Sequence, residues 1–321
     1  MQGISNSELS TLAFTVYLSP YYYIAMNNPN LFKKLFFFLL FLSLIMSGEK
    51  VYSTETPVLS RYVLVSVAPH KFFIEKIADS TVQIGLMVPA GASAHTYEPT
   101  PKQMLDATKA DLWMYVGEGF EPKVRAALHS YNPRMQFIDL RQHLDLISYE
   151  DGHRGCSHQH EGCYDLHYWL SPKQAKIQAE TIADALIKLY PEHTQLYKTN
   201  LDKFKTELDQ LDHEIRDILS KPHNPVIMVS HPAYAYFCRD YGCRQLSIEF
   251  EGKDPTPQQL TRVINAARLN NIKTIFVQVQ YSSKGARLIA AQIGAKVVDL
   301  DPYSEHYFDS LHTIAKAFAE N

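Results

Sequence analysis

From Arg61 onward, short β-branched and apolar runs alternate with stretches whose apolar positions recur every three or four residues. Residues 62–67, 82–88, 111–116 and 136–140 read as strands. Residues 71–78, 100–107 and 121–130 read as the helices between them, the first with Phe72, Ile74 and Ile77 on its apolar face. Beyond Pro172 the strands stop. Ala175, Ala179, Ile182, Leu186 and Leu189 step by four and three, and past Pro191 the same stepping runs through Tyr197, Leu201, Phe204, Leu208, Leu211, Ile215 and Ile218. At 1.5 Å per residue such a helix reaches roughly 40 Å. A coiled-coil seam is the competing reading, but only about four heptads are present, too few to favour it over a stiff internal spine. A second alternating series follows, with strands at 225–230, 244–250, 274–279 and 296–300 and helices at 233–240, 257–269, 284–293 and 308–318. The pattern predicts an α/β fold of two parallel-sheet lobes joined by a single long rigid helix. The divisions are 54–190 for the N-terminal lobe, 191–222 for the linking helix and 223–321 for the C-terminal lobe.

The first residues follow another plan. Lys33 and Lys34 precede an apolar run over 35–46, shorter than the ~20 residues a membrane span needs. With small residues ahead of a cut after Ser53, residues 1–53 read as a signal segment, with Met26 a candidate for the true start, and the mature chain is expected to be exported to the periplasm. Hydrophobic residues make up 46% and charged residues 20%, ordinary values for a globular protein. A formal net charge of -3 offers no basic surface for nucleic acid. Export changes what the four cysteines mean: local disulfides, Cys156 with Cys163 and Cys238 with Cys243, are favoured over thiolate metal ligands.

The candidate chemistry is metal binding. Residues 151–163 carry His153, His158 and His160 in a polar loop, and His167 follows where apolar residues resume. His95 lies in a loop beyond one predicted strand, His231 directly follows another, and Asp301 closes a third. In open α/β sheets, ligand sites form beyond the carboxyl ends of strands. Two donors from each lobe would thus face one another across the inter-lobe cleft. Three imidazoles and a carboxylate make a closed tetrahedral set for zinc, one that binds without leaving room for an activated water. Taken singly, each residue has a plainer reading: His95 as a loop residue, His167 as a core histidine, His231 as a helix cap and Asp301 as a turn former. The joint placement favours the site. The other histidines, His70 among them, are assigned to surface or packing.

Four segments, GASAHTYEPTP (91–101), DLHYWLSP (165–172), HPAYAYF (231–237) and VDLDP (298–302), resemble the ZnuA-like periplasmic metal-binding components of ABC importers for zinc and manganese, the cluster A-I family. The resemblance runs from about Arg61 to the C-terminus. It implies two lobes on one long helix, no enzymatic activity, and metal ligands at His95, His167, His231 and Asp301. The expected cargo is Zn²⁺, handed to a cognate permease in the cytoplasmic membrane by a monomeric binding protein. A histidine at 231 and a His-rich loop before 167 are similar to zinc-type members. Manganese or iron is the alternative cargo. A zinc hydrolase, with Glu98 as its base, is the remote one. The chain departs from the family at Gln278-Val279-Gln280, where many members have Glu-Pro-Gln.

Overall fold

The strands of the computed structural model fall into two four-stranded sheets, and every pairing in them is parallel. The structure describes residues 61–148, 164–221, 223–249, 256–281 and 283–321. The expected signal segment, and the loop bearing His153, Cys156, His158, His160 and Cys163, lie outside the described residues. The first sheet contains β1 (Tyr62–Val65), β2 (Gln83–Leu86), β3 (Leu112–Tyr115) and β4 (Gln136–Asp139), in the order β2-β1-β3-β4. The second contains β5 (Val226–Val229), β6 (Arg244–Ser247), β7 (Thr274–Gln278) and β8 (Lys296–Leu300), in the order β6-β5-β7-β8. Each sheet therefore reverses its winding once, between β1 and β3 or between β5 and β7, and such a reversal opens a crevice at the strands' carboxyl ends.

The helices are α1 (Ala68–Ala78), α2 (Pro101–Ala107), α3 (Glu121–Tyr131), α4 (Pro172–Leu189), α5 (Thr194–Leu219), α6 (Ala235–Tyr241), α7 (Pro257–Leu269), α8 (Lys284–Ile293) and α9 (Tyr307–Ala319). Their starts were legible for a common reason. Thr100, Ser171 and Thr256 each accept a hydrogen bond from the backbone three residues on, and each is followed by proline at the first helical position.

The 26-residue α5 is the spine. It buries Tyr197, Phe204, Leu208, Leu211, Ile215 and Leu219, and packs on α1 and α4 of the first lobe and on α9 of the second. The stripe is used within the chain. One apolar cluster runs through it, joining Val63 and Val65 of the first sheet to Val229 and Phe276 of the second. Each sheet's outer face has its own cluster, around Trp113 and Leu128 in the first lobe and Ile275 and Ile289 in the second. Two details differ from expectation. The linking helix starts at Thr194, after a 3₁₀ turn at Pro191–His193. Its last buried position is Leu219 while Ile218 is half-buried, because a 3.6-residue period drifts against a strict seven-residue repeat.

His70 is a packing residue, as expected. It is fully buried among Phe73, Tyr168 and Trp169, with Nε2 2.7 Å from Gln178 Oε1, and burial pushes its pKa down to about 4. The expected disulfide between Cys238 and Cys243 is not formed; both are free thiols. α6 ends at Gly242, whose φ of +73° turns the chain so that the two thiols meet side by side. A hydrogen bond from Cys238, aided by His223, draws the Cys243 pKa down to about 6.

Candidate metal centre

Among the described residues, one group of metal-binding side chains converges: His95, His167 and His231, each offering one ligand atom within 4.8 Å of the others. Local sequence puts them there. His95 sits in a 3₁₀ turn, Ala94–Thr96, in the loop that follows β2. His167 precedes the 3₁₀ turn Tyr168–Leu170 that leads into Ser171 and α4. His231 lies two residues past β5. The segment holding His167 is fastened across to the second lobe: Tyr236 donates to the Asp165 carbonyl at 2.8 Å, Trp169 Nε1 to the Pro302 carbonyl at 2.8 Å, and Tyr307 to the Trp169 carbonyl at 2.6 Å. The histidines consequently meet where both lobes touch.

Each imidazole is oriented by a carboxylate at Nδ1: Glu118 2.9 Å from His95, Asp165 2.8 Å from His167, and Glu249 2.6 Å from His231. A carboxylate only accepts, so these contacts place the proton on Nδ1 and leave the Nε2 lone pairs facing inward. The Nε2 atoms of His95 and His231 stand 3.2 Å apart. Two lone pairs at that separation repel unless a positive charge lies between them, and a proton or a metal ion supplies it. The two rings share the burden unequally. Burial lowers the pKa of His95, yet Glu118, with Asp165 and Glu249 behind it, outweighs that and raises it; 28% of its side chain still meets solvent. Burial takes His231 down to about 4 despite its bond to Glu249. His95 is therefore the more basic of the two rings.

The carboxylates are held by structure of their own. Glu118 sits beyond β3, after Gly117, whose φ of +103° and close approach to Arg141 exclude a side chain. The backbone amides of Val116 and Gly117 donate to the buried Glu121, whose pKa burial raises to about 7, and this braces the turn that presents Glu118. Two buried carboxylate oxygens of the site, Glu118 Oε1 and Asp165 Oδ2, have no protein partner. Such atoms are costly away from water, and their gathering around three imidazoles fits a polar guest. Because Glu118 raises the basicity of His95 Nε2, the substitution Glu118→Gln is expected to cut metal affinity about 10–100-fold. Competition against a chromogenic chelator measures this.

The structure brings three of the four expected ligands together and leaves the fourth out. Asp301, half-buried, is not in the group, and its Oδ1 already accepts from Gln280 Nε2 at 2.6 Å and from the Tyr303 amide at 2.9 Å. Gln278, where a carboxylate was missed from the family pattern, lies under the site and donates to the His231 carbonyl at 3.3 Å. Glu98 is exposed. The sequence reading passed over Glu118 and Glu249, although both lie just beyond strands, where the rule that picked out His95 and His231 would have placed them. It also passed over Tyr281, stacked on His231 at 4.4 Å, and Tyr303, whose hydroxyl is 3.1 Å from His167 Nε2.

Residues 63–321 match the family model described as zinc-uptake complex component A, periplasmic, ZnuA. A Chlamydia muridarum protein named for metal binding is 35% identical over 261 residues, covering 81% of this chain and 91% of the relative. The high-affinity zinc uptake system protein ZnuA of Bacillus subtilis is 28% identical over 248 residues, 73% of this chain and 76% of the relative. A crystal structure of ZnuA superposes with a TM-score of 0.76 at 35% identity, covering 81% of this chain and 98% of that one.

Proposed function

Because the chain belongs to the ZnuA family of periplasmic zinc-uptake components, we propose that it captures Zn²⁺ outside the cytoplasm and hands it to an ABC-type permease. The observation that carries this reading is the set of three inward Nε2 atoms, each backed by a carboxylate on Nδ1. His95, His167 and His231 are the proposed ligands. The bonds from Gln280 and Tyr303 both fall on Asp301 Oδ1, so its other oxygen is proposed to complete a tetrahedral set, joining last. The ion is cargo, and its protein ligands come from both lobes, so release follows from a small parting of the lobes that separates His231 from the other two. The histidines of the 153–160 tract are proposed as an accessory capture arm.

Imidazole nitrogens suit zinc, whereas carboxylate and water suit manganese, and affinity for nitrogen donors rises from manganese to zinc along the first transition series. Direct competition between Zn²⁺ and Mn²⁺ for the metal-free protein, followed by calorimetry, should leave zinc bound at a large molar excess of manganese. Equal competition would move the cargo to the manganese or iron class that the resemblance also allows.

A further inference from the structure

Tyr303 does something in this site that a family ligand set does not describe. Its hydroxyl lies 3.1 Å from His167 Nε2, and its ring packs against His167 and Trp169 with centroids 5.7 and 5.2 Å away. His167 Nδ1 is committed to Asp165, so the only lone pair the neutral ring can offer is at Nε2. The phenol therefore donates to the very electron pair that a metal ion must take. The contact is built, not incidental. Tyr303 is 8% exposed, its amide is pinned to Asp301, and the carbonyl just before it accepts from Trp169 Nε1. Beside it, the Tyr281 hydroxyl interacts with the hydroxyls of both Tyr303 and Ser93. The ring also borders a shallow surface cleft lined by Val67, Val88 and Gly91.

Resting on the zinc-capture reading above, we infer that Tyr303 is a displaceable latch: its O–H caps His167 in the metal-free protein, and loading requires the ring to swing off Nε2. The same hydrogen bond that preserves the unloaded arrangement then opposes capture and assists release, because the phenol is at hand to reclaim Nε2 as the ion departs. Tyr303 is a positioning residue in this scheme. It tunes affinity and rate without being a ligand.

The test is Tyr303→Phe, which keeps the ring and removes the hydroxyl. A single neutral hydrogen bond is worth a few-fold in an equilibrium, so zinc should bind about two- to tenfold tighter in chelator competition, with faster association in stopped-flow. Weaker binding would make the phenol a ligand, and unchanged binding and rates would make it a bystander; either overturns the latch. A second reading does not depend on the variant folding. In the wild-type protein, NMR signals of the Tyr303 ring and of His167 Nε2 should change together, in step with one equivalent of zinc. A Tyr303 ring that stays put on loading refutes the latch. Wild type and His95→Ala measured alongside keep the two ideas separable. If wild type binds no zinc, or His95→Ala binds it equally well, the capture reading fails; if both behave as expected and only Tyr303→Phe is silent, the latch alone fails.

Discussion

Zinc affinity is expected to fall about a hundredfold when His95 is replaced by alanine. Structural zinc sites gain roughly 10–16 kcal/mol from about four ligands, so one lost donor is worth around 3 kcal/mol. His95 is the cleanest place to test this. It lies in a loop and keeps 28% of its side chain in solvent, whereas His167 and His231 are embedded against Trp169 and Tyr281. Alanine at 95 thus removes a donor without opening the core, and circular dichroism should report an unchanged fold. Deleting residues 151–163 should weaken capture far less, because the nitrogens that converge among the described residues are those of His95, His167 and His231. The reverse ranking, with the loop decisive and His95 dispensable, would relocate the binding site.

The three histidines were legible because position, not residue type, gave them away. His95 and His231 follow strands at the edge where an α/β sheet opens a crevice, and His167 marks the point where a polar stretch becomes ordered. Glu118 and Glu249 obey the same rule and were not read, because acidic residues are common in loops and only tertiary geometry shows which imidazole each one faces. Asp301 shows the rule's limit. It ends its strand as expected, yet Gln280 and the Tyr303 amide have claimed its oxygen. Tyr303 could not be read at all, since its partner is 136 residues away in the other lobe. The thiols of Cys238 and Cys243 are a similar case: spacing put them together, and the turn at Gly242 brings them side by side, but as free thiols. The starts at Thr100, Ser171 and Thr256, by contrast, were local matters of caps and prolines.

The spine admits the other large effect, and this one acts on stability. Phe204 is 1% exposed on α5, with its ring centroid 5.4 Å from Phe73, 6.0 Å from Phe72 and 6.2 Å from Phe308. The first two belong to α1 in the first lobe and the last to α9 in the second, so one side chain ties both lobes to the same helix. Phe204→Ala should destabilise the metal-free protein by about 3–5 kcal/mol, the usual cost of emptying a buried phenylalanine site. In a protein of this size that is a fall of roughly 10 °C in thermal midpoint. A drop below about 1 kcal/mol would mean that α5 is not the element joining the lobes. The binding consequence should be smaller in kind as well as size. All donors survive, but the ligands from the two lobes are less well held against one another, and ordering them must come out of the binding free energy. Zinc should accordingly bind Phe204→Ala more weakly than wild type yet more tightly than His95→Ala, and excess zinc should restore part of the lost midpoint through mass action on the folded state.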